Sequence, residues 1–149
     1  MHRISSILAL LTISLACTAA AQDSPVGHVK TASGSAVLVR GGARLPAKLG
    51  DPVHAKDIFE TGADGAIGVT LIDNTVLSVG SNSQLALEEY SFDSSDFKGA
   101  MTADLHKGTL AVVSGDIARS SPDAMKVRMP TAILGVRGTR FAVQVDGRR

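Results

Sequence analysis

MPTAILGVRGTRFAVQV, residues Met129 to Val145, places a proline, a small apolar run, a Gly-Val-Arg-Gly-Thr turn and an alternating strand in succession with almost no spare residues. That compression implies a specified backbone path. Gly135 and Gly138 bracket Val136 and Arg137, and glycine reaches positive φ or admits another backbone at close range without a steric penalty. After Thr139, the side chains of Phe141, Val143 and Val145 point one way and those of Arg140, Ala142, Gln144 and Asp146 the other, the period-two pattern of a half-buried strand. Gly135, Arg137, Gly138 and Thr139 thus read as a structural corner leading into a final strand over 139–145.

Working outward, short segments rich in Val, Ile and Leu alternate with turn signals every eight to twelve residues. No stretch after the N-terminal apolar run carries an apolar stripe at helical spacing, which argues an all-β sandwich or related double sheet. Residues 27–30 and 36–40 flank the small-residue turn 31–35 and read as a hairpin. The segment 43–57 holds Pro46, Gly50 and Pro52 at close spacing, which suits short edge pieces rather than a central strand. In 66–72, Ile67, Val69 and Leu71 share one face, so that face is expected in the core. Asp73-Asn74 between apolar runs marks a tight hairpin, because Asn tolerates positive φ. A strand over 84–92 follows, then a polar loop over 93–99. Residues 101–105 and 109–118 read as a further hairpin around His106-Lys107-Gly108. Met125, Val127 and Met129 alternate with Lys126 and Arg128, and Pro130 could open a single helical turn at 131–134.

Two of these blocks carry a resemblance. VRGTRF after a proline-led turn, together with GDPVHAKDIFETGADGAIGVTLIDNTVLSVGSNSQLAL over Gly50 to Leu87, resembles the FecR domain, a bacterial extracytoplasmic β-domain family. The resemblance runs over nearly all of the chain after Val26; Met129-Pro130 stands where relatives usually read Thr-Pro. It implies a non-enzymatic envelope module, with relatives in iron uptake carrying a cytoplasmic anti-sigma segment and a membrane span ahead of this domain. Here only three residues precede the apolar run, so direct sigma-factor control is not among the expectations. Arg137, flanked by Val136 and Gly138, reads as partly buried, and a buried guanidinium needs a carboxylate. Asp51 or Asp57, in the other block, is the expected partner, and contact with a partner protein's carboxylate is the rival reading.

The N-terminus reads as a targeting signal: His2 and Arg3 give a positive start, residues 4–16 are mostly apolar, and Ala19, Ala20 and Ala21 offer a small-residue cleavage site. The expected organisation is a signal-peptide helix over 1–21, a short disordered lead-in over 22–25 and one domain over 26–149, exported to the periplasm or secreted. The apolar run is too short for a comfortable bilayer span, so no stable transmembrane anchor is expected. Cys17, the single cysteine, lies inside the signal. Lipid attachment there is the weaker alternative to plain cleavage, because Leu15 stands one place too near it. The mature chain then has no thiol for a disulfide or metal.

Of 15 Lys and Arg residues, Arg3 leaves with the signal, so 14 basic face 14 acidic groups and the mature net charge is 0. Such a chain sets up no field to hold a polyanion. Aromatics make up 3% with no Trp, which also removes stacking platforms, and no nucleic-acid partner is expected. His28, His54 and His106 are isolated from one another and do not stand at zinc-ligand spacing, so no metal or other cofactor is expected. Ser81 and Ser83 follow Gly80 without the second glycine of a nucleophile elbow, and as turn hydroxyls they satisfy backbone groups. Lys107-Gly108-Thr109 reverses the phosphate-loop order. Asp93 and Asp96 read as a solvated acidic turn, because calcium wants six or more oxygens.

No catalytic constellation emerges, and no enzyme is expected. The reading is a protein-interaction, sensing or regulatory module of the bacterial envelope. A cell-surface scaffold and a small-ligand-binding module are the alternatives. Phe141, Val143 and Val145 lie on the strand expected to be open to pairing, either with another envelope protein or with a second copy as a dimer seam.

Overall fold

The computed structural model describes residues 23–138 and 140–147. The expected signal peptide with Cys17, and Thr139 of the expected corner, lie outside the described residues. The fold is all-β with one short helix, as the strand spacing implied. In chain order the elements are β1 (Gly27–Ser33), β2 (Ala36–Arg40), β3 (Ala43–Pro46), β4 (Pro52–Val53), β5 (Ile58–Thr61), β6 (Ala66–Leu71), β7 (Val76–Val79), β8 (Gln84–Asp93), β9 (Lys98–Val113), α1 (Asp116–Ser120), β10 (Met125–Met129), β11 (Ala132–Val136) and β12 (Arg140–Val145).

These strands form one curled sheet whose two halves share β9. The first half of β9 lies between β8 and β10, and its second half between β7 and β12. Beyond those neighbours one layer continues β7-β6-β1-β4 and the other β8-β5-β2-β3. β10 runs parallel to β9, with α1 in the crossover, and β11 folds back on β10. The alternating residues bury as expected: Ile67, Val69 and Leu71 of one layer join Leu38, Phe59 and Leu85 of the other in a single apolar cluster. Each of these large side chains is worth roughly 1.5–3 kcal/mol when removed from water. Pro46 and Pro52 sit on β3 and β4, which each have one strand neighbour, where a missing N–H does no harm.

Three local expectations are corrected. β1 and β2 do not form a hairpin; β1 pairs with β6 and β4, whereas β2 pairs with β5 and β3. The small residues between them carry the chain from one layer to the other. That crossing is pinned to the β5–β6 crossing by Ser35 N–H on Asp64 Oδ1 and by Gly62 N–H on the Ser35 carbonyl. Second, His106-Lys107-Gly108 is no turn, because β9 runs through it unbroken. Gly108 has φ +89°, and a Cβ there would fall onto Ser83, so its glycine serves a kink within a strand. Third, residues 132–134 of the expected helical turn over 131–134 belong to β11, and the helix lies at α1.

The Asp73-Asn74 hairpin is present, one residue longer than a two-residue turn. Asn74 N–H bonds to the Leu71 carbonyl, Leu71 N–H to the Thr75 carbonyl, and Asn74 takes φ +65°. This is the three-residue connection in which a type I turn is closed by a left-handed residue.

Candidate interaction surface

Arg137 is 74% exposed, and its nearest carboxylate is Asp123 at 3.7 Å, itself 65% exposed. The expectation of a partly buried lock through Asp51 or Asp57 is therefore corrected. Val136 is buried and Gly138 takes φ +80°, so the backbone is constrained there, but the guanidinium swings outward past both. Gly135 stands opposite Lys126 in the β10–β11 ladder.

The buried carboxylate in the upstream block has another partner. Asp57 is fully buried, and Arg40 grips it with two bonds, Nε to Oδ1 at 2.8 Å and Nη2 to Oδ2 at 2.7 Å, while His54 N–H donates to Oδ2. Nη2 also reaches the Pro52 carbonyl. Arg40 therefore ties β2 to the turn before β5. Its bond to Asp57 holds the guanidinium still more firmly protonated than usual.

A second buried carboxylate, Asp73 at the β6–β7 hairpin, gathers donors from three parts of the chain. Its oxygens accept from Thr75 N–H and Oγ1, from Tyr90 Oη at 2.8 Å and from Ile117 N–H. Tyr90 Oη in turn accepts from Asp73 N–H, Asp116 N–H donates to the Asp73 carbonyl, and Thr75 Oγ1 accepts from Gly115 N–H. The network fastens α1 to the hairpin. Burial first, then the adjoining Asp73 charge, push the Tyr90 hydroxyl well above its ordinary pKa. Asp73 is thus more than the turn residue its sequence setting implies. The only signal in the sequence was that it precedes a Thr by two residues, a common local pattern.

The remaining polar candidates are structural. Ser83 Oγ accepts from Thr109 N–H and donates to the Ser81 carbonyl beside the β9 kink. Asp93 Oδ1 accepts from Ser95 N–H and Oγ, which hold its carboxyl below the usual range. Among the described residues, no three His, Cys, Asp or Glu side chains gather as a metal site.

β12, like β3, β4 and β11, has a strand neighbour on one side only among the described residues, and it is the longest of the four. It pairs with β9 over Arg140↔Val113 to Val145↔Gly108, and among the described residues no strand lies on its other side. Phe141, Val143 and Val145 are half-buried against the core, while Arg140, Ala142, Gln144 and Asp146 are exposed. The N-terminal strand lies elsewhere, between β6 and β4.

The sequence profile described as FecR protein matches residues 57–149, from the buried Asp57 through β12. The chain belongs to the FecR family. No curated protein and no solved structure matches it. The FecR match begins at Asp57, yet β1 and β2 pair with β6 and β5 of the matched part and extend the two ends of its sheet, so this FecR fold draws on residues ahead of the match. FecR domains are sensing and regulatory modules of the bacterial envelope, and no helix among the described residues is long and apolar enough to cross a membrane.

Proposed function

We propose that this chain is a non-enzymatic, exported sensing or regulatory module that works by contact with a further protein chain in the envelope, through the β12 edge. The observation that supports this most is the one-sided pairing of β12, whose outer side has no strand among the described residues. Backbone groups along such an edge bind an added strand with main-chain hydrogen bonds, and the alternating side chains select it. The signal over 1–21 delivers the domain to the periplasm or the exterior.

The test is a photo-crosslinking residue at Gln144, installed in the chain expressed in its own cells, with a second at Leu45 on β3 for comparison. Crosslinks to a defined protein from position 144 and not from 45 are expected, and Val143→Pro abolishes them while the domain stays folded by circular dichroism. Equal labelling from both positions, or undiminished labelling in Val143→Pro, overturns the reading. Mass spectrometry of the exported chain is expected to find Gln22 as its first residue.

A further inference from the structure

We infer that the protein paired along β12 is a second copy of this chain, joined antiparallel about a two-fold axis at Val143. This rests on the reading of β12 as the contact edge and names its occupant.

Residues facing each other across an antiparallel seam lie on the same face of the sheet, so a symmetric seam must place residues of like parity opposite one another. Centring the axis on Val143 sets Val143 against its own copy, Phe141 against Val145, Ala142 against Gln144 and Arg140 against Asp146. Each consequence is favourable. The half-buried face becomes a continuous apolar row, Phe141 and Val145 supplying the aromatic-to-branched pair that stabilises sheets. On the exposed face the small Ala142 meets Gln144, and the ends of the seam carry two opposite-charge pairs by symmetry, since Arg140 and Asp146 occur once in each copy.

Moving the centre by one residue in either direction, a register shift of two, loses this match. About Ala142, Arg140 faces Gln144. About Gln144, Asp146 faces Ala142, and Phe141 faces Gly147. The charge pattern of β12 is thus complementary to itself in one register, which is what an isologous contact requires. The resulting sheet runs from β4 of one copy through both β12 strands to β4 of the other. A single-strand seam is small beside the roughly 1,200–2,000 Å² of stable complexes, so the association depends on concentration.

Analytical ultracentrifugation of the exported chain across a concentration series tests this. Dimer is expected to grow with concentration, and Arg140→Asp or Asp146→Arg alone weakens association roughly tenfold, because each reversal turns two attractive pairs repulsive. Mixing these two variants restores it, since each then presents what the other lacks, and the double variant pairs with itself like the parent. Circular dichroism confirms folding, and Asp146→Arg, exposed beyond the last pair with β9, serves if Arg140→Asp does not fold. A monomer throughout the series overturns the second-copy inference, as does failure of the mixture to associate. In either case selective, proline-sensitive crosslinking from position 144 to a different protein leaves the edge reading standing, and its absence removes that too.

Discussion

Asp73 sets its acceptor oxygens against four donors in a fully buried position. Asp73→Asn places an amide's own donors among them, so a loss of about 2–4 kcal/mol is expected in urea unfolding. Tyr90→Phe removes one donor and one acceptor, costing about 1–2 kcal/mol. The wild-type hydroxyl has a raised pKa in the folded state, so its neutral form is favoured there; that contribution is complete below the unfolded value of about 10 and is lost as pH rises beyond it. Stability of the parent should therefore fall more steeply above about pH 10 than that of Tyr90→Phe. The arginine that meets a buried carboxylate is Arg40 and not Arg137. Arg40→Met strands the buried Asp57 and should cost about 2–3 kcal/mol, less than a fully buried pair because Arg40 is 36% exposed. Arg137→Met removes an exposed pair at 3.7 Å and should change stability by less than about 0.5 kcal/mol. Apolar neighbours in sequence suggested burial for Arg137, but burial is decided by which way the side chain leaves the backbone after β11, and only contacts distant in sequence determine that.

Among the elements, β9 is where local signals and tertiary structure part company. A glycine after a charged dipeptide is a legitimate turn signal, and Gly108 does adopt a turn-like φ of +89°. The chain nevertheless continues, because β8 pairs with it across residues 98–107 and β12 takes over from Gly108 onward. A Cβ at Gly108 meets Ser83 in a conformation that disfavours any side chain. Gly108→Ala should therefore cost roughly 2 kcal/mol or more, by thermal or urea unfolding, beyond the effect of Gly41→Ala, which shares the positive φ but has open space around it. By contrast β6 and β10 were legible almost to the residue, since strict alternation with a buried row needs no knowledge of neighbours. Strand partners were not legible: the turn between β1 and β2 looks the same whether it reverses the chain within one layer or carries it to the next.

At the scale of the molecule, the all-β class followed from turn spacing, but the sharing of β9 by both layers depends on long-range pairing that composition does not record. The same pairing predicts the outcome of trimming the chain to its family match. Residues 57–149 alone lack β1 and β2, leaving β5 and β6 each without a neighbour and Phe59 and Val69 without part of their cover. Such a fragment should be recovered as aggregate or lack a sharp melting transition, whereas residues 22–149 fold.

A strand common to both layers also leaves the protein no way to come apart by halves. Neither layer can detach without unzipping the ribbon that the other needs, so calorimetry should register one sharp heat-absorption peak whose van't Hoff and calorimetric enthalpies agree. The amides of Met101 to Leu105 should be among the last to exchange with deuterated solvent.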